Sequence, residues 1–194
     1  MAETTFLSIG MMLGFIFAIS IIIKKSRMPL SAFGITTQNW RRAVAESLIF
    51  SAAAVPLIIL VKYLLLQSIP GLEDKAVLEL SRNAPYSGLT LFFAVLGYSL
   101  FVPFQELIFR GGLQTSLQVF LTGKYRVFFA ILLSNLLFSA GHIYVNILLA
   151  LIAVPGGLLW GWLYYRHGTL IGACISHILV GNFVYLVLGI NSFS

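Results

Sequence analysis

Apolar residues in this chain come in long unbroken runs, separated by short connections rich in basic residues and glycine. A run of about eighteen or more residues that is apolar on every side predicts a membrane-crossing helix, not a strand or an amphipathic surface helix. Six candidate spans are predicted. The first, residues 6–23, carries no charge and is long enough for a hydrocarbon layer of about 30 Å. It has no basic stretch before it and no small-residue cleavage site before Lys24, Lys25 and Arg27, so the pattern is not that of a cleaved signal peptide. The second covers residues 43–67, with a kink expected at Pro56 and Lys62 near one end. The third starts at Gly88 and runs through Pro103; residues 127–142, 147–165 and 169–189 complete the set.

No internal repeat, low-complexity tract or long linker interrupts these segments. The expected fold is therefore all-α: a polytopic transmembrane helical bundle of about six spans, forming one domain. Within it, residues 1–42 are read as the first span plus a basic cytoplasmic interfacial segment, and residues 43–194 as the main bundle. Composition agrees, with 59% hydrophobic and 9% charged residues and a mean hydropathy of +0.98. The net charge of +6 comes from basic residues that flank apolar runs, with no basic stripe interleaved with aromatics, so nucleic acid is not an expected partner. A single cysteine, Cys174, rules out an intramolecular disulfide framework.

The basic residues also orient the bundle. Lys24, Lys25, Arg27, Arg41, Arg42, Lys124, Arg126 and Arg166 fall in connections on one side, whereas the opposite loop, residues 68–87, holds three acidic and two basic residues. The positive-inside rule makes the basic side cytoplasmic and puts both ends of the chain outside. Residues 31–42, with Phe33, Trp40 and a basic end, are expected in the cytoplasmic interface. Gly10 and Gly14, Gly157 and Gly161, and Gly168, Gly172 and Ser176 repeat at spacings of four, predicting close helix approach.

Ionisable groups inside spans are costly, about 2.5–3.5 kcal/mol for a charge at mid-bilayer, and each needs a reason. Four stand out: Glu106, Arg110, His142 and His177. Glu106 and Arg110 are four apart and can pair on one helix face. Asn135, Ser139 and His142 form a polar stripe on an otherwise apolar segment, which must face protein or water. His177 lies beside the small-residue face of the last span. The remaining histidine, His167, is placed in a solvated turn.

Together these groups suit water-mediated attack on a carbonyl, with a carboxylate or imidazole as base and a histidine donating to the developing oxyanion. The sequence has no GxSxG elbow, no HExxH and no pair of intramembrane aspartates. Glu106, His142 and His177 also have the ligand types of an open zinc site, and spacing alone leaves that possibility standing.

Three stretches resemble the motifs of the CPBP, or Abi, intramembrane proteases, a family that includes CAAX-prenyl endoproteases and bacteriocin-processing or self-immunity proteins. They are QELIFRG at residues 105–111, FSAGH at 138–142 and SHILVGN at 176–182, matching EExxxR, FxxxH and HxxxN in order. The resemblance covers residues 91–185, about half the chain. It implies a glutamate-dependent peptidase that uses no metal or other cofactor, acts on a membrane-embedded or lipidated peptide, and lies in the bilayer of a bacterial plasma membrane.

The same resemblance implies the catalytic set Glu106, Arg110, His142 and His177, with Gln105 and Asn182 at two departures. The first glutamate of the family, which activates water together with the second-motif histidine, is Gln105 here, and an amide cannot take that proton. The asparagine due four residues after His177 is Gly181, and Asn182 comes one position later, about 100° further round a helix. A bulge at Gly181 would restore it.

Three functions remain open on these residues. One is a protease with Glu106 or His142 as base, Arg110 fixing the glutamate and His177 polarising the scissile carbonyl. Another is a pseudoprotease that binds a membrane segment or lipidated peptide as a scaffold or immunity protein. The last, a small proton-coupled transporter using Glu106 and the histidines, lacks the paired repeats of such folds. Depth along the spans sets a geometric requirement on a shared site. For Glu106 and His142 to meet, either the third helix bends at Pro103 or the helix bearing His142 stops short of the outer surface; the breaking tendency of Gly141 and the apolar residues 143–149 favour the second.

Overall fold

The computed structural model describes residues 2–68, 77–78, 88–143 and 147–187. Most of the predicted outer loop, residues 68–87, and part of the apolar stretch after Gly141, residues 144–146, lie outside the described residues. Every regular element among the described residues is helical: α1 Ala2–Ser26, a 3-10 turn Leu30–Phe33, α2 Trp40–Ser68, α3 Gly88–Glu106, a π-helical segment Leu107–Gln114 continuing into α4 Thr115–Phe120, α5 Arg126–Ala140, α6 Ile147–His167 and α7 Leu170–Leu186. This is the expected all-α bundle. Two helical stretches, Trp40–Ser68 and Leu91–Phe120, are long and apolar enough to cross a membrane; Arg126–Ala140 and Leu170–Leu186 are shorter apolar helices.

Burial is arranged as a lipid solvent requires. Leu57, Leu60, Phe92, Phe93 and Leu100 are exposed, while Glu106 and Arg110 are fully buried. So many large apolar side chains on the outside would be an aggregating surface in water and a matched one in hydrocarbon. Helix α7 is central, packing against α2, α3 and α6, and α5 packs on α6 and the π segment. Its buried residues Gly172, Ala173, Ser176, His177, Val180 and Val184 form one helical face, and Phe138, Trp160, Leu163 and Tyr164 meet that face in the core.

The start of α7 is tied to the 3-10 region. Thr169 accepts the Ile171 N–H at 3.4 Å and donates its hydroxyl to Thr36 O at 2.7 Å, and Leu170 N–H bonds Gly34 O at 3.0 Å. Gly34 has φ +74°, and a Cβ there would run into the Tyr164 ring, so both backbone and space require glycine. In the segment expected at the interface, residues 31–42, Trp40 is exposed, with Arg41 over its ring at 5.5 Å. Phe33, in the same segment, is only 2% exposed and is drawn into the bundle because the 3-10 turn packs on the π segment.

His167 is a second correction. It is buried, not solvated, and its Nε2 lies 3.0 Å from Glu46 Oε2. Glu46 also accepts from Arg42 Nε at 2.8 Å and from Arg166 through two nitrogens, so one carboxylate joins the start of α2 to the end of α6. The expected small-residue contacts are realised only in part. Among the described residues nothing lies near the Cβ directions of Gly10, Gly14 or Gly168, and Gly168 instead forms a turn at φ +67°. Gly172 does pack closely, against Ala43 O and the His167 ring.

Candidate active site

The site is built where the long third helix changes its winding. Thr115 N–H reaches back five residues to Arg110 O and also to Gly112 O, widening the turn through Leu107–Gln114. Glycines at 111 and 112 let Phe33 O and the Ile19 side chain occupy the places their Cβ atoms would take. The bulge at Gly181 that would bring Asn182 into register is not formed, and α7 stays α-helical through Gly181 and Asn182.

Glu106, Arg110 and Gln114, four apart in sequence, are all fully buried. Arg110 Nη2 donates to Gly157 O at 3.0 Å, Gln114 Nε2 to Gly161 O at 2.9 Å, and Asn135 Nδ2 to Val154 O at 2.8 Å. Each of these polar side chains thus places one donor on a carbonyl of α6, at residues 154, 157 and 161, while Arg110 Nη1, Gln114 Oε1 and Asn135 Oδ1 have no hydrogen-bond partner among the described residues. Gly157 and Gly161, expected to let helices touch, make room for them: a Cβ at 157 would collide with Asn135 and Arg110, and one at 161 would press on Gln114 Oε1 at 2.9 Å.

At the centre, Glu106 is shared. His177 Nδ1 lies 2.7 Å from Glu106 Oε1, and Arg110 Nε lies 3.3 Å from Oε2. A carboxylate only accepts, so the imidazole is fixed with its Nδ1–H toward Glu106, while Arg110 makes an ion pair with the other oxygen and no hydrogen bond. Trp160 stacks on the His177 ring at 3.7 Å and donates its Nε1–H to Ser176 Oγ, 3.2 Å away, which Ser51 also reaches at 2.9 Å. The His177 plane is therefore held from one face as well as at one nitrogen.

Phe138 links the second histidine to this pair. Its ring centroid is 5.6 Å from that of His177 and 4.7 Å from that of His142, with Arg110 Cζ 5.2 Å above it. His142 Nδ1 is 2.9 Å from Phe138 O, and a carbonyl only accepts, so Nδ1 carries the proton and Nε2 keeps a lone pair. Helix α5 has 15 residues, about 22 Å, and ends at Ala140 with Gly141 as its cap. The helix carrying the second motif is thus shorter than a hydrocarbon layer of about 30 Å, and His142 follows in the turn.

The two departures from the family pattern behave differently. Gln105 places Oε1 in the interior without a hydrogen-bond partner among the described residues. Asn182 donates to Ile178 O at 2.9 Å and to Ser99 Oγ at 3.4 Å, so it is engaged with α3 and its own helix and has no hydrogen bond to Glu106 or His177. Among the described residues no three histidine, cysteine or acidic side chains converge as metal ligands. Sequence reasoning passed over Gln114, which continues the same spacing of four, and Trp160, which an apolar run hides. It also passed over Tyr98, whose ring lies edge-on to His177 with centroids 6.0 Å apart.

A helical bundle with an apolar exterior and a buried carboxylate, guanidinium and imidazole at its centre defines an integral membrane protein with an internal polar site. The pattern of the type II CAAX prenyl endopeptidase Rce1-like family matches residues 87–183, half of the chain, and the chain belongs to that family. At the level of the family this is a CAAX-type intramembrane endopeptidase. No curated protein and no solved structure matches the chain.

Proposed function

We propose that this chain is a glutamate-type intramembrane endopeptidase that hydrolyses a peptide bond of a membrane-associated or prenylated substrate. The observation that carries the reading is the buried Glu106, hydrogen-bonded to His177 on one oxygen and ion-paired with Arg110 on the other, in a chain of this family. His142 is the base, because its Nε2 is the nitrogen left free to accept. It takes a proton from water as the water oxygen bonds to the scissile carbonyl carbon and the carbonyl π pair moves onto oxygen. His177, oriented by Glu106 at Nδ1, donates to that oxygen from Nε2 as the imidazolium, and Arg110 holds Glu106 in place. Collapse of the tetrahedral adduct breaks the C–N bond, and the leaving nitrogen takes the proton from His142. Water and peptide become acid and amine with no cofactor. Gln105 retains an acceptor to orient the water, though not a base to deprotonate it.

The protein acts as a multi-pass bundle in a bacterial plasma membrane, one domain in all, with its basic connections in the cytoplasm. Gln105 favours a second reading, a binding scaffold that keeps the cavity and has lost turnover. Comparative membrane peptidomics on cells expressing wild type or His142→Ala at matched levels separates the two. Cleavage products confined to the wild type are expected; identical peptide sets with both proteins folded would leave the scaffold.

A further inference from the structure

We infer that Tyr98 supplies the hydroxyl that donates to the substrate's carbonyl oxygen, taking the place of the asparagine missing at position 181. The inference rests on the peptidase reading above. Position 181 is one helical turn from His177 on the same face of α7, so a polar side chain there would stand beside the imidazole. Glycine occupies it, and the space is not empty. A Cβ at Gly181 would overlap the Tyr98 hydroxyl and lie 2.6 Å from Cζ and 2.9 Å from Cε1. Tyr98 therefore reaches across from α3 and fills the volume a side chain at 181 would use, with its polar end against α7.

Three further observations converge on the hydroxyl. Asn182 cannot substitute, being bonded to Ile178 and Ser99 on a helix without a bulge. The Tyr98 ring meets His177 edge-on, 6.0 Å between centroids, which puts the phenol beside the group that faces the carbonyl. Finally, His177 commits its Nδ1–H to Glu106, so a neutral imidazole leaves Nε2 bare and donates to an oxyanion only when protonated. A phenol O–H is a neutral donor that keeps its proton through the physiological range. Gly181 and Tyr98 thus act as a pair: the glycine is required because the tyrosine is there.

The test uses the full chain in bicelles with a prenylated CaaX peptide, comparing wild type, Tyr98→Phe, Tyr98→Ala and Tyr98→Ala/Gly181→Asn. Removing the hydroxyl alone is expected to lower kcat by about 10²–10³-fold with KM unchanged, the size of losing one oxyanion donor. The double variant, which clears the space and returns the asparagine, regains activity over Tyr98→Ala. A Tyr98→Phe enzyme as active as wild type overturns the inference. Binding of a tetrahedral phosphinate analogue against binding of the uncleaved peptide gives a readout independent of turnover, and Tyr98→Phe is expected to weaken only the analogue. Equal effects on both ligands, or none, overturn it. Wild type that binds but never cleaves sinks the peptidase reading alone, since the ratio still decides Tyr98; wild type that binds neither ligand sinks both.

Discussion

Neutralising one member of the Glu106–Arg110 pair should damage the fold more than neutralising both. Both side chains are fully buried, with Arg110 Nε 3.3 Å from Glu106 Oε2. Arg110→Met leaves a carboxylate inside the bundle with His177 as its hydrogen-bond partner, and Glu106→Gln leaves a guanidinium held by the Gly157 carbonyl and the Phe138 ring. Removing one partner of a buried pair costs about 3–5 kcal/mol, most of it the uncompensated charge. In the double variant no charge remains, and the glutamine still offers an acceptor to His177 Nδ1–H, so the expected loss falls to about 1–2 kcal/mol for the missing bond to Gly157 O. The interaction energy across the cycle is therefore several kcal/mol, well above the error of such cycles. SDS-driven unfolding from bicelles, followed by Trp fluorescence, measures all four proteins; Trp160, stacked on His177, lies at the point of change. A double variant as unstable as the two single losses added together would refute the coupling and the assignment of Glu106 as ionised.

Three other outcomes follow from the geometry. His142→Ala should keep the wild-type unfolding profile while peptide cleavage falls by about 10²–10⁴-fold, as expected for loss of a general base; a cleavage rate like wild type would remove His142 from the chemistry. Gln105→Glu places a carboxylate where the amide Oε1 now lies unpaired, and turnover of a prenylated peptide should rise; an unchanged rate in a folded variant would deny position 105 a part in activating water. Gly157→Ala forces a methyl into Asn135 and Arg110, and overpacking of this kind costs about 1–3 kcal/mol, read as a lower midpoint in the same SDS titration, whereas an unchanged midpoint would mean that the Arg110 bond to Gly157 O does not hold α6.

Much of this protein was legible along the chain because hydrocarbon is a demanding solvent. Long apolar runs must be helices, since no other backbone satisfies itself in lipid, and a charge inside such a run must have a reason. Glu106, Arg110, His142 and His177 therefore stood out before any geometry, and the spacing of four between Glu106 and Arg110 already implied their pairing. His177 as the second partner of Glu106 is a contact between residues 71 apart, and it depends on how α3 and α7 cross. The π segment, the burial of Phe33 and His167, and the use of Gly157 and Gly161 as room for polar side chains depend likewise on neighbours from distant parts of the chain. Tyr98 shows the limit most plainly. A tyrosine in an apolar run carries no signal of its own, and the glycine at 181 reads only as a departure until packing puts one side chain in the other's place. Sequence determined which groups had to be buried and paired; tertiary structure decided with whom, because helix crossing fixes those distances and local spacing does not.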